Sequence, residues 1–200
     1  MRRSRAVFAS AVALSLASSL ASRAEAHLVT TGLGPVYDGI GHLLLTPEDL
    51  VPILALALYA GLKGARAGRL ALFVLPAAWV LGGLLGLRAG AASTAPVPAL
   101  SFILLGVLVA ADLKLPDGAV AVLACGLGLV HGFLNGPALA GSGPGALGLL
   151  GIAAVAFVLV ALASALVVSL KTPWTRIAVR VAGSWIAAIG LLVLGWALRT

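Results

Sequence analysis

Six apolar runs, at roughly 47–62, 70–87, 97–112, 119–139, 146–170 and 177–198, follow one another with only short polar breaks between them. Crossing about 30 Å of hydrocarbon takes about 20 helical residues, so each run crosses or nearly crosses a bilayer. The first and third are short, a deficit met by local bilayer thinning or by burial against neighbours. A chain that is 62% hydrophobic and 10% charged, with mean hydropathy +1.16, has too little polar surface to cover a water-soluble domain. The expectation is an all-α membrane protein, a six-transmembrane-helix bundle forming one polytopic domain over 27–200, with loops too short to build a second domain.

The N-terminus reads as a cleavable signal peptide, 1–26. Met1-Arg2-Arg3-Ser4-Arg5 is followed by an apolar run from Ala6 to about Leu20 and then by Ala24-Glu25-Ala26, the charged, apolar and small-x-small order of a secretory signal. Cleavage after Ala26 leaves His27 as the new N-terminus; the rival is an uncleaved first helix. The net charge of +7 does not mark a nucleic-acid protein, because four arginines lie in that signal and the rest sit at helix ends. With the mature N-terminus periplasmic, the loops bearing Lys63, Arg66 and Arg69, then Lys114, then Lys171, Arg176 and Arg180 fall on the cytoplasmic side, as the positive-inside rule asks. This makes a multi-pass protein of a bacterial inner membrane, with membrane lipid as its surroundings.

Glycines recur at helical spacing, Gly82 with Gly86 and Gly128 with Gly132 and Gly136. Small residues four apart form a groove in which helices approach closely. Trp174 and Trp196, near opposite ends of the last span, read as interfacial anchors, and Trp79 and Trp185 as packing residues. The single cysteine, Cys125, reads as a small buried residue with no disulfide or thiolate-cluster role.

Polar chemistry is concentrated before and at the start of the first span, in Asp38-Gly39-Ile40-Gly41-His42-Leu43-Leu44-Leu45-Thr46-Pro47-Glu48-Asp49. Three acids and a histidine crowd into twelve residues, and the chain beyond them holds two more acids and one more histidine. Thr46 as N-cap, Pro47 at the first helical position and acids in the first turn also describe an ordinary helix start. That reading leaves Asp38 and His42 unexplained; they share a face if their segment is helical. The stretch before Thr46 can also enter the membrane as a re-entrant piece if protein covers its backbone. His131 and Asn135 lie one turn apart on one face, beside the Gly128-Gly132-Gly136 ridge. They are either a site, the default for polar groups in a membrane, or a pair bonding a neighbouring helix.

Alternation of the six spans brings His42, Glu48, Asp49, His131 and Asn135 to similar depth. Imidazole and carboxylate without thiolate suit Ni²⁺, Co²⁺ or Zn²⁺ better than Cu⁺, and His27 could add an imidazole and a free α-amine. An intramembrane enzyme is not expected, since Ser101 and Ser164 have no histidine at an evident spacing and no H-E-x-x-H occurs. No phosphate loop is present, so any transport would be passive, driven by the membrane potential or coupled to protons, with Glu48 the candidate proton partner.

The chain resembles the HupE/UreJ family of hydrogenase- and urease-accessory membrane proteins, regarded as nickel or cobalt permeases. The likeness covers nearly the whole mature chain. It rests on Ala26-His27 at the end of the signal, the G-x-x-H-L-L segment Gly39 to Leu44, Leu75-Pro76-Ala77-Ala78-Trp79-Val80-Leu81-Gly82-Gly83, and Gly128-Leu129-Val130-His131-Gly132-Phe133-Leu134-Asn135-Gly136. Two departures stand out. Where the family has a histidine, five residues and then Asp-His, this chain has His42 and then Glu48-Asp49. Where the family has His-Gly-x-x-His-Gly, it has His131 and then Asn135. Two imidazoles are thus replaced by harder oxygen donors, which implies a different metal preference, a lower affinity for Ni²⁺ or divergence away from metal transport altogether.

The resemblance implies a secondary permease moving Ni²⁺ or Co²⁺ from periplasm to cytoplasm for metalloenzyme maturation, with no tightly bound cofactor. His27, Asp38, His42, Glu48, Asp49 and His131 are the expected metal ligands, with Asn135 a weak ligand or an orienting residue. Hydrogenase or urease maturation proteins are the expected partners. The alternative is a non-transporting membrane accessory protein for hydrogenase or urease assembly.

Overall fold

The computed structural model describes residues 30–89 and 96–199, with Ser142 described only through its backbone. The expected signal peptide and His27 lie outside the described residues. Seven helices follow one another: α1 Pro35–Leu45, α2 Pro47–Lys63, α3 Ala65–Gly86, α4 Pro96–Ala111, α5 Asp117–Ser142, α6 Gly145–Ser169 and α7 Pro173–Ala197. No strand occurs among the described residues. Helices α3, α5, α6 and α7 are each long and apolar enough to cross a membrane, and α1 with α2, taken as one broken span, makes a fifth. Helix α4 is apolar but has 16 residues. The expected six spans coincide in position with α2 to α7, while α2 and α4 fall short of crossing length by themselves.

The break between α1 and α2 follows from one dipeptide. A residue before proline is pushed out of the helical region, and Thr46, before Pro47, has φ −105° and ψ 93°. The two helices meet there at 77°. Thr46 takes the N-cap position and Pro47 the first helical one, as expected, but the threonine hydroxyl makes no capping bond. The cap is carried by its carbonyl, which accepts from the N–H groups of Asp49 and Leu50.

In lipid no hydrophobic drive pulls helices together, so association depends on close packing and small residues. The most extensive interface, α3 on α5, is built in this way. A Cβ added at Gly132 would collide with the Trp79 backbone, one at Gly82 with Leu129, and one at Gly86 with Phe133. The two glycine ridges of the sequence therefore pack on each other's helices, with α3 and α5 parallel. Helix α1 is held against α6 similarly, Gly39 against the Gly148 backbone and Gly151 against that of Val36. Helix α4 packs mainly on α7 and next on α2.

The basic loops gather at one end. Arg66 pairs with Asp117 at 3.4 Å. Arg176 donates to the Leu62 carbonyl at 3.1 Å and reaches Asp112 at 3.5 Å, and Arg180 donates to the Ala110 carbonyl at 2.9 Å. These arginines satisfy carbonyls at the C-terminal ends of α2 and α4, where cations are favoured. Arg176→Ala is expected to cost roughly 1 kcal/mol, the net worth of such a bond, read as a lower midpoint of thermal unfolding in detergent.

Trp174 and Trp196 are exposed near the two ends of α7, as anchors would be. Trp185 is 68% exposed, so it does not pack within the chain. Its α7 face is turned away from α4, which α7 grips through Gly183 and Gly190 instead. Cys125 is half-buried and free.

Candidate functional site

Opposite the basic end, α1, α2, α4 and α5 bring polar groups together. His42, Asp49, His131 and Asn135 are 6%, 6%, 2% and 7% exposed, and buried polar groups need partners. Here they find one another. Asp49 accepts from His131 Nδ1 at 2.8 Å through Oδ1 and from Asn135 Nδ2 at 2.9 Å through Oδ2. Asn135 Nδ2 donates as well to the His131 carbonyl, one turn back, at 2.8 Å. His42 Nε2 lies 2.5 Å from Asn135 Oδ1, and Ser101 Oγ lies 2.9 Å from His131 Nε2.

The roles along this chain of bonds follow from what each group can do. An ionised carboxylate only accepts, so both His131 Nδ1 and Asn135 Nδ2 donate to Asp49. Both amide hydrogens of Asn135 are then used, and its oxygen accepts from His42 Nε2–H. His42 Nδ1 is left with a lone pair. A neutral His131 likewise presents a lone pair at Nε2, which accepts the Ser101 hydroxyl. Trp79, fully buried, lies tilted against the His131 ring with centroids 5.6 Å apart. Its indole N–H is buried with no acceptor among the described residues.

A cavity of about 230 Å³ opens onto this network, lined by His42, Glu48, Asp49, Pro98, His131 and Asn135 among others. Glu48 is exposed there, with no hydrogen-bond partner among the described residues, while Asp49, one residue on, is buried. The helix start that reads so plainly in the sequence thus has two acids with different tasks. One faces the cavity; the other joins the helices.

Of the expected ligands, His42, Asp49, His131 and Asn135 are brought together, and Glu48 lines the same cavity. Asp38 is not in the cluster. It does share a helix with His42, but its carboxylate accepts from the Thr31 N–H at 2.6 Å and the Thr31 hydroxyl at 2.7 Å, fastening the chain that enters α1. No three His, Cys, Asp or Glu side chains among the described residues form, as they stand, a set that could hold a metal ion. A cation entering here must exchange protein hydrogen bonds for metal bonds, starting from the free groups, Glu48 and His42 Nδ1.

Ser101 is the residue that sequence spacing missed. It stands 30 positions from His131, on a helix whose rotation about its axis no periodicity fixes. Ser101, His131 and Asp49 have the connectivity of a nucleophile, a base and an orienting acid. Acyl transfer also needs donors for a developing oxyanion. The Ser101 N–H lies inside α4, and both amide hydrogens of Asn135 are engaged, so neither can serve.

Among curated proteins and among solved structures, nothing matches the chain. A family model does match, over residues 13–193, and it is described as HupE / UreJ protein. That stretch takes in the broken α1–α2 entry, the glycine-packed α3 and α5, and every residue of the polar cluster, and the chain belongs to the HupE / UreJ family.

Proposed function

We propose that this protein is a secondary permease for a divalent transition metal, Ni²⁺ or Co²⁺, taken from the periplasm to the cytoplasm for maturation of a metalloenzyme. The observation that carries the reading is the cavity in which an exposed carboxylate, Glu48, stands over a buried network of His42, Asp49, His131 and Asn135. An intramembrane ionisable cluster of this kind is a functional site by default. Membership of a family linked with hydrogenase and urease supports the same reading. Gathering of the basic loops at the far end supports an inner-membrane protein of six spans with this cavity toward the periplasm.

Glu48 draws the hydrated ion in, and His42 Nδ1 supplies the first nitrogen. The ion then competes with protons for His131 Nδ1 and Asp49, now joined by a hydrogen bond. A site that must give up protein hydrogen bonds to bind holds its cargo weakly, as a carrier requires. Oxygen at Asp49 and Asn135, where the family pattern has imidazole, moves the preference toward harder ions within the nickel and cobalt range.

Uptake of radioactive nickel and cobalt by cells expressing the chain tests this, beside a His42→Ala/His131→Ala double variant matched for membrane abundance. Uptake is expected to fall in the variant to that of empty-vector cells. A second reading is a non-transporting accessory protein for hydrogenase or urease assembly. It is favoured by the absence, among the described residues, of a ready-made ligand set. Equal uptake by wild type, variant and empty vector, with enzyme maturation lost in the variant, would select it.

A further inference from the structure

At the basic end α3 and α6 leave between them a groove of about 330 Å³, lined by Gly68, Arg69, Leu72, Ala161, Ala165 and Val168 among others. Arg69, Ala165 and Val168 are exposed, so the groove opens outward, to lipid in a bilayer. Its floor is made by what is missing. Gly68 has no side chain, and a Cβ there would stand 3.2 Å from Ser164 Oγ. That hydroxyl donates to the Val160 carbonyl at 2.6 Å, so the floor presents no unmet polar group.

Two features fix its length. From the basic end the lining runs inward from Ala65 to Leu72 on α3 and from Ser169 to Ala161 on α6, about 10–12 Å at about 1.5 Å per residue. Just beyond, Phe73, one turn on from Arg69, meets Phe157, one turn on from Ala161, edge to face with centroids 5.8 Å apart. Both rings are exposed, and they form a sill across the inner end of the groove. One leaflet holds about 15 Å of hydrocarbon, half of about 30 Å, so the groove fits a chain held in a single leaflet. A partner helix crossing the whole bilayer would be lifted off by the two rings.

The mouth is positive and has no acid to spare. Asp112 and Asp117, the acids of the described residues at this end, are already paired with Arg176 and Arg66. Arg69 lines the groove without a partner among the described residues. Lys63 ends α2 two residues after Gly61, which packs on Val167 of α6, and Lys171 follows the end of α6. Helix ends do not decide the sign, since the N-terminus of α3 and the C-terminus of α6 open here together and their partial charges oppose. Three cations without a carboxylate, over an apolar groove less than one leaflet deep, match an anionic headgroup and its acyl chain.

We propose that this groove binds an anionic phospholipid of the leaflet at the basic end. One acyl chain lies between α3 and α6 as far as Phe73 and Phe157, and the phosphate sits at Arg69 beside Lys63 and Lys171. The site needs no metal and is independent of the permease reading.

The test offers the full chain, purified in a mild detergent, equal amounts of dioleoyl phosphatidylglycerol and dioleoyl phosphatidylcholine, and counts retained lipid by native mass spectrometry. Wild type is expected to keep one phosphatidylglycerol in preference to phosphatidylcholine. Arg69→Gln should lower that preference about fivefold, the effect of one basic residue at an anionic headgroup, and Arg69→Lys should retain most of it. Ala165→Leu, which fills the groove from its open side, should abolish retention with every cation in place. Lys114→Gln removes an exposed cation of the α4–α5 loop that does not line the groove, and should change nothing. The site is refuted if wild type shows no preference, if Lys114→Gln weakens it as much as Arg69→Gln, or if Ala165→Leu still holds the lipid. A dimer formed by wild type and lost in Ala165→Leu, with no lipid retained, would give the groove to a second copy and refute it equally.

Discussion

Replacing Asp49 by alanine is expected to lower stability by about 2–6 kcal/mol, since two buried donors lose their acceptor at about 1–3 kcal/mol each. The carboxylate accepts from two buried donors on α5, His131 Nδ1 and Asn135 Nδ2. Its loss strands both in a place that water reaches poorly, and Asn135 then loses its hold on His42 as well. Asp49→Asn keeps one acceptor and should lose less. Glu48→Gln is the contrast: an exposed side chain without a partner among the described residues should change stability by no more than about 0.5 kcal/mol while uptake falls markedly. Thermal unfolding in detergent, run beside the uptake assay, separates the two acids. Equal stability of Asp49→Ala and Glu48→Gln would mean that Asp49 does not join the helices.

Gly132→Val is expected to cost about 1–3 kcal/mol, the usual penalty for forcing volume into a packed interior. The new Cβ would collide with the Trp79 backbone, which cannot move aside as a flexible side chain would. Since α3 and α5 are parallel and share the longest interface, separating them also shifts Trp79 from beside His131. Gly126→Ala on the same helix is the control. It has open space, and alanine is the better helix former by up to about 1 kcal/mol, so it should be neutral or slightly stabilising. Sensitivity at both positions would mean that α5 is intolerant of change in general and that the ridge is not special.

Much of this architecture was legible because it depends on local rules. The Thr46-Pro47 break, the helix start with Glu48 and Asp49, and the spacing of Gly128, Gly132 and Gly136 are properties of short segments, and the structure keeps all three. The convergence of His42, Asp49, His131 and Asn135 was legible from alternation of the spans, which fixes depth. What alternation leaves open is the rotation of each helix about its axis. It could therefore not reveal that Ser101 meets His131, that Asp49 rather than Glu48 turns inward, or that Trp185 faces outward. Asp38 stands apart for another reason. It shares a face with His42, but its carboxylate is engaged by the Thr31 hydroxyl and N–H and fastens the chain entering α1, away from the cluster.

Helix α4 is held unequally along its length. At the basic end, Tyr59 donates to the Leu113 carbonyl, Arg176 links Leu62 with Asp112, and Arg180 holds Ala110, so that end of the α4–α7 pair is pinned. Ser101 stands eleven residues up from Asp112, about 16 Å along the helix at 1.5 Å per residue, and is tied to α5 by a single bond. Helix α4 is therefore fastened to its neighbours by several bonds at its basic end and to the polar cluster by one hydroxyl, so that a change at Ser101 should loosen the link to α5 and leave the basic end in place.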